Sequence, residues 1–341
     1  MAREFLQIVH ESSYGVPVAT PTVWTTTTPY NTATAYYIRL DEGNAFAMRA
    51  RPQEVEIPYG GGLAIGAYRA SDKIECRGNL RMKLTTGIAP FLFGWATTRV
   101  DSGNTLPWPS GQPPGDLASC TIYHAIMRSD GTFRRRAYLG VKVDSLALDI
   151  SADSTIGTVN MGLSASVPQG NVYDGSTDPT AIVFPPPADN NLPVDPYLFA
   201  HTGGAGSVLI NSVNRKNITQ CTMNVANTLA RNFFNQRFLG ALRFTGRDVS
   251  LAVRLEYATT PDDRVTYEGQ MPYGVTPIPV KVVFDDGTHA MTIDFHGNNV
   301  IDPLDEDLPL DDLYFQSSTH NNMWDTSIGG DFAVSFGPGL E

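Results

Sequence analysis

Apolar and polar side chains alternate with a period of two over much of this chain, in short runs separated by turn residues. The clearest run is 249–257, where Val249, Leu251, Val253, Leu255 and Tyr257 interleave with Ser250, Ala252, Arg254 and Glu256. That pattern predicts a strand with one face buried and the other polar. Residues 120–127 and 134–143 flank a Ser-Asp-Gly turn at 129–131, and 280–284 and 291–295 flank an Asp-Asp-Gly turn at 285–287. Each pair predicts a hairpin. Alternation also predicts strands at 145–150, with Leu146, Leu148 and Ile150 on one face, at 158–166, from near Ser207, and at 331–336. Shorter alternating runs, at 73–77 and 79–84, lie in a stretch from 39 to 84 that Gly60–Gly62 interrupts. Two segments depart from this period. Residues 88–97 (IAPFLFGWAT) are almost uniformly apolar and predict one or two helical turns packed on a sheet. Residues 224–242 set Val225, Leu229, Phe233 and the Phe238-Leu239 pair roughly on one stripe behind a capping Asn224, and they are the main helix expectation.

The chain divides accordingly. Residues 1–36, rich in Thr, Pro and Tyr, read as an extended N-terminal arm with short strands. Residues 37–167 form a first β-rich half, containing a long loop at 101–119 with four prolines. Residues 168–200 form a Pro-rich linker, and 201–341 a second β-rich half. Both halves contain an apolar segment, a hairpin and alternating strands, in different order, which leaves an internal duplication open. The fold class is mainly β, sandwich- or barrel-like, with one flanking α-helix and extended arms and loops.

Composition narrows the function. The net charge is −11, from 24 basic and 35 acidic residues among 341, and only 17% of residues are charged. This disfavours a protein that grips nucleic acid by neutralising phosphates. The charge is lopsided: residues 1–170 carry 15 basic and 14 acidic side chains, residues 171–341 carry 9 and 21. Six of those acids fall between Asp302 and Asp312 and read as a solvated acidic loop, without the spacing of a calcium-binding loop. Cys76, Cys120 and Cys221 are too far apart for a zinc motif and read as isolated buried thiols. The six histidines form no two-ligand spacing, no GxSxG elbow is present, and Gly60–Gly66 has neither the dinucleotide-binding spacing nor a P-loop lysine. Neither a leader peptide nor a membrane-spanning run is expected. Arg134–Arg136 reads as an interface partner within an assembly, and Trp95 and Trp324 as core residues or interface anchors.

Several stretches together resemble the tail tube (major tail) proteins of long-tailed bacteriophages. His10-Glu-Ser-Ser-Tyr-Gly15, with Pro17 and Pro21 beyond it, is similar to that family's opening segment. Residues 138–148 are similar to the strand after its hairpin, and 227–237 with 246–255 to its helix-then-strand unit. The resemblance implies a β-sandwich-like subunit without enzymatic activity or cofactor. It implies assembly with copies of itself into rings, hexameric or trimeric, that stack into a hollow tube. Other tail proteins would be partners, and DNA would leave through the lumen without specific binding. The chain would be made in the host cytoplasm and reside in the virion tail. The lopsided charge has the sign that repels DNA from a channel wall, and Glu256, Asp285, Asp286 and Asp294, on polar strand faces, are candidate lumen-facing acids. Two other readings stay open: a capsid decoration or tail-tip protein, and a glycan-binding β-sandwich.

Overall fold

The computed structural model describes residues 4–11, 14–16, 22–23, 34–40, 44–58, 65–85, 88–97, 116–127, 133–151, 157–166, 207–215, 218–233, 239–256, 279–285, 290–295, 299–301, 305–307, 315–322 and 332–336. The strands among them are β1 (Glu4–His10), β2 (Thr22–Val23), β3 (Thr34–Arg39), β4 (Ala45–Pro58), β5 (Ile65–Lys83), β6 (Cys120–Met127), β7 (Phe133–Ser151), β8 (Thr158–Ser166), β9 (Ser207–Ile210) and β10 (Val213–Arg215). They continue with β11 (Ile218–Asn232), β12 (Ala241–Glu256), β13 (Val280–Asp285), β14 (Ala290–Phe295), β15 (Asn299–Ile301), β16 (Asp305–Asp307), β17 (Phe315–Asn322) and β18 (Ala333–Phe336). One helix, α1, spans Ala89–Thr97.

Thirteen strands form one large sheet, whose main path runs β15-β17-β12-β11-β7-β6-β1-β3-β2, with β8, β5, β4 and β16 attached beside it. Five form a smaller antiparallel sheet, β10-β9-β13-β14-β18. The inner faces of both contribute to one continuous core. It joins Leu146, Leu148 and Ile150 of β7 to Val249, Leu251 and Val253 of β12 and to Val282, Phe284 and Ile293 of the small sheet. The architecture is therefore mainly β, two packed sheets with one helix.

The helix lies inside this core. Of its nine residues only Pro90 is not buried. A helix apolar on every side has no solvent face to offer and must be enclosed. Tyr36 stacks on Phe91 with centroids 4.2 Å apart, and the Trp95 indole N–H donates to the Val141 carbonyl at 3.1 Å. Trp95 is thus a core residue and not an interface anchor; Trp324 lies outside the described residues.

The expected helix over 224–242 is not formed. Residues 218–232 are β11, and Ala241 opens β12, its antiparallel partner. The spacing that suggested a helix is ambiguous, because positions 225, 229 and 233 share a face at a period of 3.6 and also at a period of 2. Intervening Cys221 and Met223 are buried as well, while Asn224, Ala226 and Thr228 are exposed, which only a strand satisfies. The segment resembling a helix-then-strand unit is accordingly a hairpin of two strands. These strand expectations hold among the described residues: β6 pairs with β7 and β13 with β14, β8 has the expected bounds, and Val249, Leu251, Val253 and Leu255 are buried along β12.

Strand β7 joins two parts of the large sheet. Its first half pairs with β6, its last part with β11, and β8 runs along its other edge from Leu139 to Asp149. Register shifts fall where it changes partner, between Leu139 and Lys142 and between Val143 and Ser145. Bulges bend a strand and raise its twist, which is how a strand turns the corner of a sandwich. Gly140, at φ +62°, sits in this bend. The expected N-terminal arm begins with β1, which is mostly buried and lies between β3 and β6.

Candidate functional site: a polar sheet face and a buried carboxylate node

Because β8, β7, β11, β12 and β17 bury alternate residues, their other residues form a second face, and the register orders it in rows. One row runs Asn160–Ala147–Asn224–Ser250–Asn321, and the next Thr158–Asp149–Thr222–Ala252–Thr319. None of these side chains is buried, and none is an apolar group larger than alanine. Asp149 accepts hydrogen bonds from Thr222 Oγ1 in its own row at 2.9 Å and from Asn160 Nδ2 in the neighbouring row at 3.3 Å, so its carboxylate is held between the two rows. Asp248 precedes the rows on β12, and Arg254 and Glu256 follow them. Asp149, Asp248 and Glu256 stand against Arg254 and against Arg243, which pairs with Ala230. The two rows continue onto β5 at the exposed Arg81 and Lys83, opposite Asn160 and Thr158, so acidic and basic groups nearly balance on this face. The result is a broad, hydrated surface of nearly balanced charge backed by the core.

Of the candidate lumen acids, Glu256 lies on this face. Asp285 and Asp294 lie on the small sheet, on the face opposite Val282, Phe284, Met291 and Ile293. Lys281, directly across the β13–β14 pair, binds Asp294 with Nζ–Oδ2 at 2.6 Å. Asp286 lies outside the described residues. Asp149 and Asp248 were not singled out from the sequence; the signal available was their place in the alternation of strands that pair only in three dimensions. In the acidic run, residues 305–307 form β16 beside β17, and the rest lies outside the described residues. Arg134, Arg135 and Arg136 open β7 and pair with Ile126, Ala125 and His124 of β6. The three cysteines are buried free thiols; burial pushes Cys76 and Cys221 up to about 12 and Cys120 well above its usual value.

A second constellation explains the segment His10–Gly15. Glu11 is 4% exposed, and its carboxylate accepts four hydrogen bonds. The donors are the Gly15 amide (2.8 Å), Ser119 Oγ (2.7 Å), Thr121 Oγ1 (2.6 Å) and the Gly140 amide (2.9 Å). The Glu11 amide in turn donates to the Ser119 carbonyl at 2.9 Å. Gly15 and Gly140 both have φ near +70°, where a side chain is strained, and a Cβ on Gly140 would lie 3.0 Å from the Tyr14 ring. The Lys142 ammonium sits 5.0 Å from that ring's centroid and binds Asp116 Oδ2 and the Leu242 carbonyl, each at 2.6 Å. Burial lowers the Lys142 pKa, opposed by the nearby Asp116 and Glu11 carboxylates. Burial likewise raises that of the Tyr14 hydroxyl.

A third polar cluster ends the helix. The Ala96 carbonyl accepts from Asn227 Nδ2 at 2.9 Å and Arg247 Nη2 at 3.1 Å, and Arg247 Nε donates to Asn227 Oδ1 at 2.9 Å. A cation at a helix C-terminus offsets its partial negative charge. Asn227 and Arg247 also face each other across the β11–β12 pair, so that hairpin is anchored to α1.

Among the described residues no group of three His, Cys, Asp or Glu could hold a metal ion, and no helix is long and apolar enough to cross a membrane. A search of curated proteins found no match. A family model described as phage tail tube protein matches residues 1–331. That match covers nearly the whole chain, including the Glu11 node and the polar sheet face, and the family is a structural one found in the virion tail. The chain belongs to the phage tail tube protein family.

Proposed function

We propose that copies of this chain close into rings which stack into a hollow tube, joined at its ends to other tail proteins, and that the polar face of β8-β7-β11-β12-β17 lines the channel through which DNA leaves. The observation that carries this reading is that face: five adjacent strands with the core behind them and small polar side chains in front. Strands lie about 4.8 Å apart, so one copy spans roughly 19 Å of wall. One copy cannot enclose a channel. Barrels open an aqueous channel at about 16–18 strands. Three copies would give about 15 strands and six about 30, so the width favours six-fold over three-fold rings.

The same face suits transit without binding. Duplex DNA carries about one phosphate charge per 1.7 Å of axis, and a basic wall would hold it by counterion release. A wall of nearly balanced charge offers no basic track to hold it, and Asn, Ser and Thr keep a water layer between the surfaces. Assembly has its own source. β5 pairs with β8 only from Cys76 to Lys83, and from Ile65 to Glu75 it pairs with β4 alone among the described strands. A two-stranded ribbon is marginal by itself and offers open edges to a neighbour. Enzymatic turnover has no place in this role.

The test is assembly of the purified chain, followed by sedimentation velocity and negative-stain microscopy over rising concentration. Rings or tubes of even diameter are expected. A strict monomer at every concentration and salt condition, including in the presence of other tail proteins, would overturn the reading.

A further inference from the structure

The segment 116–119 is fastened at both ends by quite different means. At its inner end Ser119 is held by Glu11, a carboxylate that is itself buried. At its outer end Asp116 is 53% exposed, whereas its partner Lys142 is 1% exposed, so this ion pair is enclosed on one side and open to water on the other. The second Asp116 oxygen, Oδ1, accepts the amides of Leu117 and Phe244, both at 3.1 Å. The pair therefore connects β7, the start of β12 and the point where the chain passes into residues 101–115.

We propose that the Lys142–Asp116 pair is a releasable latch: it positions the chain at residue 116, and it opens without disturbing the Glu11 fastening behind it. The energetics favour position over stability as the service Lys142 performs. An ammonium withdrawn from water loses hydration that one carboxylate, one carbonyl and one ring only partly replace, and an apolar side chain of similar volume often does as well for stability. Removing Lys142 frees Asp116 to turn into solvent. Removing the Asp116 charge instead strands a buried cation, which is the costly half of the pair. Lys142 is a positioning residue, and the latch does not depend on the proposed channel or ring.

Hydrogen exchange on the folded, unassembled chain tests this residue by residue. In K142M the Leu117 and Phe244 amides should exchange about tenfold faster or more, while the Gly15 and Gly140 amides, which donate to Glu11, keep their wild-type protection. Global stability of K142M should be unchanged or raised. D116N should melt at lower temperature, and D116N/K142M should recover. Wild-type exchange at Leu117 and Phe244 in K142M would overturn the latch, because Asp116 would then be held without Lys142. Deprotection of Gly15 and Gly140 in K142M would overturn it too, because the two fastenings would be one cooperative unit. A K142M chain that fails to fold also refutes it, by making Lys142 a stabilising residue. Ring assembly is scored separately, and its outcome leaves the exchange result standing.

Discussion

Truncating Glu11 isolates the energetic contribution of the node. In E11A four donors lose their acceptor at once. The Ser119 and Thr121 hydroxyls can rotate toward other acceptors, but the Gly15 and Gly140 amides are fixed by backbone held at positive φ. A buried donor left unpaired costs about 1–3 kcal/mol; the Gly140 amide is buried and the Gly15 amide only partly so, which puts the loss at about 1–3 kcal/mol from Gly140 with a smaller addition from Gly15. Domains of ordinary stability have about 5–15 kcal/mol in total, so E11A removes a substantial share of it. E11Q keeps the shape and one acceptor oxygen but points an amide donor at other donors, and its loss falls between wild type and E11A. Urea unfolding followed by tryptophan fluorescence, at concentrations too low for assembly, measures the three midpoints. The predicted order is wild type, E11Q, E11A at constant slope. An E11A chain within about 0.5 kcal/mol of wild type, the scatter of ordinary surface substitutions, would show that the node contributes no net stability.

Three further outcomes follow from particular residues. Asn211 and Ser212 form the two-residue β9–β10 turn with φ of 50° and 65°, and glycine tolerates that region where serine is strained, so S212G should raise stability by about 0.5–1 kcal/mol in calorimetry. His320 is fully buried and its pKa is pushed down to about 4. Between pH 6.5 and 4 the unfolded chain takes up a proton that the folded chain refuses, so stability is complete above pH 6.5 and falls as the pH drops, by up to roughly 3 kcal/mol; H320Q should flatten the unfolding midpoint over that window, and an unchanged slope would contradict the assignment. Virions carrying D248K/E256K should eject DNA more slowly, while D285K/D294K virions should eject normally; the reverse pattern, scored by an ejection assay, would move the channel to the small sheet.

What could be read in the sequence depended on range. Strands such as β8 and β12 announce themselves because a half-buried strand is a local, period-two pattern, and the Asp-Gly turns mark their hairpins. The buried helix was visible for the opposite reason, since nine nearly uniform apolar residues leave no polar face. The misread segment is β11, whose Val225, Leu229 and Phe233 satisfy both periods, and whose strand character is decided by β7 and β12 on either side. The polar face was half legible. Glu256 belongs to it by its own strand's alternation, but only cross-strand register adds Asp149 and Asp248 and sends Asp285 and Asp294 to another sheet. The node was legible only as an opening motif. Glu11 meets Ser119, Thr121 and Gly140 across more than a hundred residues, and no local pattern records which donors will surround a carboxylate.

If the Asn224–Thr222 face of the large sheet is the inner wall of a multi-copy tube, every copy presents it to the lumen. Electron cryomicroscopy of the assembled tube, at a resolution that separates strands, tests it directly. The account predicts β8, β7, β11, β12 and β17 of every copy around the lumen, with Asn160, Asn224, Ser250 and Asn321 facing the axis and about 30 such strands in a six-fold ring. A lumen lined by β13 and β14, or a tube with Asn224 on its outer surface, would contradict it.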